Sequence, residues 1–220
     1  SMFLVLNVFL GIVGAATSVS IWVIVCVFLL WVCVSAPLAF IGSYFGFVAA
    51  KIEVPTKVNH IARFVPEPTE LTWYRSVPVR ALFSGIVPFL SIYVQAYFII
   101  CALWLHHMFY VFGFVIGTMV IVTATCTLVS ITMCYIQLCA EDHRWWWKSF
   151  LYGASTGFYL FLYSIWFLTS RLRLIGVLPV LVYVTYMGII SLAFGTYCGS
   201  VGALSSFWFT RKIYAAVKFD

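Results

Sequence analysis

Residues 81–140 read ALFSGIVPFLSIYVQAYFIICALWLHHMFYVFGFVIGTMVIVTATCTLVSITMCYIQLCA and contain no Asp, Glu, Lys or Arg. Apolar runs of about 18 residues or more are candidate membrane-spanning helices, and this run is long enough for two. A charge at mid-bilayer costs about 2.5–3.5 kcal/mol on insertion scales, so a charge-free stretch of this length is enforced by its solvent. The same is true of Ser1–Ala50, Ser149–Ser170 and Leu174–Thr210. The charges are confined to the segments between them.

Composition agrees. Hydrophobic residues make up 65% of the chain and charged residues 8%, against about 25% charged in soluble domains. That is too little charge to coat a water-facing surface. The fold class read from this is all-α, a polytopic transmembrane helix bundle of about six spans. The net charge of +6 sits mostly at span ends and sets orientation, so it does not indicate nucleic acid. The expected solvent is membrane lipid.

A roughly 30 Å hydrocarbon core needs about 20 helical residues. Residues 1–46 then hold two spans, at about 2–16 and 20–46, with a break near Gly14–Ser20. Ser1 is not an initiator Met and the chain opens inside an apolar run, which reads as part of a longer protein. Residues 47–80 form a basic loop with Pro55, Pro66, Pro68 and Pro78, too many for one regular helix. Residues 81–210 supply four further spans, at about 81–104, 109–138, 147–169 and 174–210. Residues 211–220 are a tail.

The last stretch is long enough for one helix or two, and the basic residues decide between them. With a single final crossing, Lys51, Lys57, Arg63, Arg75, Arg80, Arg144, Lys148, Arg211, Lys212 and Lys218 share one side. Only Arg171 and Arg173 lie opposite. The positive-inside rule therefore favours six spans, with the loop and tail in the cytosol.

Four Gly-x-x-x-Gly pairs stand in four different spans: Gly42/Gly46, Gly113/Gly117, Gly153/Gly157 and Gly195/Gly199. Small residues four apart let membrane helices approach closely. Each pair therefore serves either packing within the bundle or docking of another membrane helix. On the docking reading, filling Gly153/Gly157 or Gly195/Gly199 with Leu cuts cargo binding and leaves the bundle folded.

Chemistry-bearing motifs are sparse. No acid or base lies within a span, and the most polar mid-span group is Gln95. Seven cysteines occur without a CxxC pair, so neither zinc nor a disulfide framework is suggested. They read as small buried hydrophobes, except that Cys139 closes a span beside a charged turn, a position open to palmitoylation. His106-His107-Met108 is too small a set to specify a metal. No cofactor motif is present, and nothing argues for an enzyme. Trp145-Trp146-Trp147 sits where an interfacial aromatic belt belongs, and Asp142 is placed to cap the helix that follows.

The block Leu138-Cys139-Ala140-Glu141-Asp142-His143-Arg144-Trp145-Trp146-Trp147-Lys148-Ser149-Phe150 resembles the signature of the nonaspanins, the transmembrane 9 superfamily. Ser35–Gly46, Val87-Pro88-Phe89 with Tyr93-Val94-Gln95, and Phe207-Trp208-Phe209 with Lys212-Ile213-Tyr214 resemble other blocks of that family. The resemblance implies a large lumenal domain and nine spans, of which this chain would be the last six. It also implies a Golgi and endosomal location, with a role in sorting other membrane proteins that includes cargo with Gly-rich spans. A C-terminal Lys-x-Asp signal for the COPI coat maps onto Lys218 and Asp220. Two positions depart from the family: Gln95 stands where many members have Glu, and Ala62-Arg63 where many have Pro-Arg.

Two functions follow as expectations. One is a sorting protein that binds cargo transmembrane helices and a coat. The other is a transporter or channel for an ion, metal or lipid. A continuous polar cavity lined by Gln95, Thr123, Thr125 and Ser130 would mark the second. A bundle packed solid, or opening sideways into lipid, would mark the first. Neither cargo identity nor oligomeric state is read from the sequence.

Overall fold

The computed structural model describes residues 21–49, 76–104, 111–140, 142, 144–172 and 176–216. Five helices carry them: α1 (Ile21–Val48), α2 (Val77–Trp104), α3 (Val111–Cys139), α4 (Trp145–Ser170) and α5 (Val177–Ala216). Each is long and apolar enough to cross a membrane. The expected span at 2–16 lies outside the described residues, as do most of the 47–80 loop, His106-His107-Met108, Glu141 and the Lys218/Asp220 signal.

The chain divides into two compact units, Ser1–Val54 and Pro55–Asp220. In the first, α1 is a continuous helix with Pro37 inside it. Pro removes one backbone hydrogen bond, which transmembrane helices tolerate. The second unit is a four-helix bundle. α4 and α5 share its most extensive interface. α2 packs on α3 and α4, and α3 packs on α5 and more narrowly on α4.

The stretch 174–210 holds one helix of 40 residues, about 60 Å long at 1.5 Å per residue. It runs through Arg211 and Lys212, so the first part of the expected tail is helical. A helix twice the hydrocarbon thickness can carry its basic end into the headgroup region and beyond. α2 likewise begins before the expected loop ends, at Val77. Pro78 explains the early start, because its fixed φ suits the first turn and its missing N–H is not needed there. Gly176 precedes α5 with φ of +113°, a conformation that glycine adopts without steric penalty.

The bundle interior mixes apolar side chains, among them Ile92, Phe167 and Met187, with small polar ones, and the outside is apolar. Its buried polar residues are Ser84, Thr118, Ser130, Gln137, Ser149, Thr156, Ser164, Ser191, Ser206 and Thr210. Large apolar side chains such as Val120, Leu128, Phe158, Leu192 and Leu204 face outward. Water would reject that arrangement, and lipid accepts it. Short hydroxyl residues return their hydrogen bonds to nearby carbonyls and let the helices come close.

Contacts between helices fix their direction. Ser84 Oγ, near the start of α2, donates to Tyr152 O, near the start of α4, at 2.9 Å. Ser206 Oγ, near the end of α5, donates to Ser130 O of α3 at 3.3 Å. One end of the bundle thus gathers the starts of α2 and α4 with the ends of α3 and α5.

Candidate helix-docking faces and interfacial end

The four glycine pairs fall into two kinds. A Cβ added at Gly153 would lie 2.4 Å from Cys198 O and 3.0 Å from Gly199 Cα. One at Gly157 would lie 2.6 Å from both Gly195 Cα and Ser191 O. At Gly195 it would stand 3.1 Å from Ala154 O, and at Gly199 3.0 Å from Phe150 O. These are backbone atoms, which cannot rotate away. α4 and α5 therefore meet backbone to backbone along Gly153/Gly157 and Gly195/Gly199.

This corrects the expectation that those four glycines can be filled with Leu in a folded bundle. They are consumed by packing between α4 and α5. By contrast, a Cβ at Gly113, Gly117, Gly42 or Gly46 meets nothing within 4 Å.

Gly113 and Gly117 lie on α3 in a shallow groove shared with α2. Gln95, Phe114, Thr118 and Ile121 complete its lining, and its volume is about 340 Å³. Gln95 is half-buried there. A second groove, about 480 Å³, runs beside the α4/α5 seam between Phe150, Phe158, Phe161 and Leu192. A third, about 590 Å³, lies between α3 and α5 and contains Thr123, Thr127 and Tyr197. There the Thr123 and Tyr197 hydroxyls hydrogen-bond at 2.7 Å.

Among the described residues, none of these three grooves brings together the residues expected to line a transport path. Gln95 and Thr123 belong to different side grooves. Thr125 is half-buried and donates to Ile121 O at 2.9 Å within its own helix. Ser130 is buried against Gly202, where an added Cβ would lie 2.6 Å from its Oγ.

Two close approaches were not anticipated. Gly85 of α2 faces Ser155 of α4, with its virtual Cβ 2.4 Å from Oγ and 2.9 Å from the Ser155 carbonyl carbon. Gly202 extends the α5 seam to α3. The second was findable, because Gly188, Ser191, Gly195, Gly199, Gly202 and Ser206 make a small-residue stripe at three- and four-residue spacing. Gly85 stands alone in its helix and gives no such signal.

The Asp142–Lys148 segment forms the turn into α4. Arg144 is the N-cap, and no side chain caps the helix. Asp142 does not bond the free N–H groups of the first turn as expected. Its carboxylate instead accepts from Arg144 N–H at 3.2 Å and pairs with the Lys148 ammonium. Partial burial alone would raise the Asp142 carboxyl, but hydrogen bonds from Lys148 and Arg144 N–H and the Lys148 charge outweigh it and hold the group below its ordinary value. Trp145 stacks on Phe207 of α5 with ring centroids 6.4 Å apart. Trp146 and Trp147 are exposed, as interfacial anchors are.

Below this turn, Gln137 Nε2 donates to Arg144 O at 3.0 Å. Its Oε1 and Ser149 Oγ are buried without a hydrogen-bond partner. Among the described residues, no group of three His, Cys, Asp or Glu is placed to hold a metal ion.

These features define a class: a multi-pass membrane protein whose side grooves open between its helices. The family follows from comparison with known proteins. Residues 1–177 match the model of the endomembrane protein 70 family, and the chain belongs to that family. It is 39% identical over 191 residues to transmembrane 9 superfamily member 10 of Arabidopsis thaliana, covering 87% of this chain and 30% of that protein. It is 37% identical over 218 residues to member 2 of Homo sapiens, covering 99% of this chain and 32% of that protein. Human member 4 is 36% identical over 216 residues, with 98% and 33% covered. The chain thus spans about a third of the length of the curated relatives it matches. No solved structure matches it.

Proposed function

We propose that this chain is part of a Golgi and endosomal sorting protein that holds the transmembrane helices of other membrane proteins. The supporting observation is the division of its glycine pairs. Two pairs are used up in joining α4 to α5, while Gly113/Gly117 remains open beside Gln95 in a groove between α2 and α3. A cargo helix with small residues would approach that face by van der Waals contact, the main attraction between helices in lipid. Gln95 would hydrogen-bond a polar group on the visitor. The C-terminus lies in the cytosol on this reading, where Lys218 and Asp220 would engage the COPI coat.

Two measurements test it. Lys218→Ala with Asp220→Ala should move the tagged full-length protein out of the Golgi, and an unchanged location defeats the coat signal. Gly117→Leu should reduce co-purification of cargo with Gly-rich spans. Undiminished capture by a folded Gly117→Leu protein defeats the docking face.

A further inference from the structure

Hydroxyls and amides fare differently in this bundle. Ser91, Thr118, Thr125, Thr132 and Thr185 each return a hydrogen bond to a carbonyl one turn back on their own helix. That bond is open to a Ser or Thr in any membrane helix, so such a residue needs nothing from a neighbour. The described residues hold two side-chain amides, Gln95 and Gln137. Gln137 is buried and donates to Arg144 O at 3.0 Å. The Gln95 amide has no hydrogen-bond partner among the described residues.

Depth makes that omission costly. Gln95 stands nine residues before the end of α2 at Trp104, about 13 Å along the helix at 1.5 Å per residue. Its neighbours Val94 and Phe98 are exposed on the apolar outside. Hydrocarbon offers no water, so an unanswered polar group there is relieved only by another polar group.

The groove keeps the amide open. Thr118 on the facing helix commits its hydroxyl to Phe114 O at 2.6 Å. One turn from Gln95, Phe98 of α2 stacks on Phe114 of α3 with ring centroids 5.5 Å apart, which spaces the two helices. A Cβ at Gly113 or Gly117 would meet nothing within 4 Å. A visiting helix can therefore come close on the α3 side and bring a side chain to Gln95.

We propose that Gln95 determines the specificity of this groove, and that the partner it selects is a transmembrane helix carrying a carboxamide, Asn or Gln, beside small residues. The inference rests on the docking reading above and names the partner's chemistry. Two carboxamides form a reciprocal pair, each N–H donating to the other's carbonyl oxygen. Both are unanswered in lipid before they meet, so pairing gains more than it does for groups already satisfied. A Ser or Thr arrives with the bond to its own helix made. A Lys or Arg arrives with a charge that a neutral amide does not balance, at a depth where charge is disfavoured. An apolar helix gains only the close contact at the glycines.

The test is co-purification of single-span reporters with the tagged full-length protein. The reporters share a Gly-containing apolar span and carry Asn, Ser, Lys or Leu at one central position. That position is moved through four successive residues, so that one of them faces the groove. Wild type should retain the best Asn reporter about fivefold better than its Leu counterpart, the equivalent of ~1 kcal/mol. The Ser and Lys reporters should do no better than Leu. Gln95→Leu should bring the Asn reporter down to the Leu level and leave the Leu reporter unchanged. Equal capture of Asn and Leu by wild type, or an Asn preference that survives Gln95→Leu, overturns the inference and leaves the docking reading standing. A preference for Lys overturns the amide assignment. An equal loss of both reporters in Gln95→Leu overturns it as well, because Gln95 would then support the fold or answer another span of its own protein. Capture of no reporter by wild type defeats the docking reading and the inference together.

Discussion

The α4/α5 seam and the α2/α3 groove carry the same four-residue glycine spacing and use it in opposite ways. At Gly153 and Gly157 the facing helix backbone occupies the place where a side chain would go. At Gly113 and Gly117 that place is empty. What differs is the opposite wall. α5 answers α4 with a stripe of its own small residues, whereas α2 presents Gln95 and larger groups beside α3. Spacing alone thus says that a helix can be approached closely, and the partner's sequence says whether it is.

The largest effect is expected where this contrast is attacked directly. Gly157→Leu forces a side chain into the Gly195 and Ser191 backbone, contacts of 2.6 Å. Overpacking costs typically 1–3 kcal/mol when side chains can shift. Here helix axes must separate, so the expected outcome is loss of the monodisperse bundle on size exclusion. Gly117→Leu is the matched control. It meets open space, and its thermal midpoint should stay level or rise slightly, because Gly is about 1 kcal/mol poorer than Ala in a helix. A folded Gly157→Leu, or an unfolded Gly117→Leu, would break the comparison.

This contrast also marks the limit of what the sequence could reveal. The four bundle helices were legible because hydrocarbon excludes charge, and the length of the empty stretches counts the crossings. The single long α5 was legible from the side on which Arg211, Lys212 and Lys218 must lie. The helix ends were misjudged by a few residues at Val77 and Ala216, since neither a Pro in a first turn nor a helix projecting past the bilayer changes hydropathy. Which glycines were buried was not legible from one-chain spacing, because it depends on which helices become neighbours. The buried, partnerless hydroxyl of Ser149 was equally hidden. Ser in an apolar run reads as ordinary packing until its surroundings are known.

A smaller effect belongs to the turn that sets the start of α4 and so the register of its seam. Asp142 has a carboxyl held below its ordinary value. A group depressed in the fold contributes stability that is complete above its unfolded pKa, about 3.9 for Asp, and is lost as pH falls through the folded value. The pair is partly solvated, so its contribution is at most ~1 kcal/mol. Asp142→Asn should lower the thermal midpoint at pH 7 by the corresponding small amount. The gap between variant and wild type should begin to narrow as pH falls below about 4 and close once pH is below the folded value. A gap that does not narrow at all as the pH is taken down through the acid range would show that Asp142 acts through packing rather than charge, and the seam's register would owe nothing to the ion pair.

The smallest expected effect sharpens the comparison from a third side. Between α3 and α5, Thr123 reaches the facing helix through its side chain. A hydroxyl pair, Thr123 and Tyr197 at 2.7 Å, joins the helices beside a groove of about 590 Å³. If close glycine contact is what holds the bundle, this bond is secondary. Interhelical hydrogen bonds in membranes average about 0.6 kcal/mol, because an unfolded but still inserted chain finds other partners. Thr123 also donates to Met119 O at 2.6 Å within its own helix, so it keeps a partner when Tyr197 loses its hydroxyl. A double-mutant cycle of Thr123→Val and Tyr197→Phe should therefore return a coupling of about 0.6 kcal/mol or less. A coupling of about 2 kcal/mol would exceed the membrane norm. It would mean that this face is fastened by polar contacts as firmly as α4/α5 is by glycine.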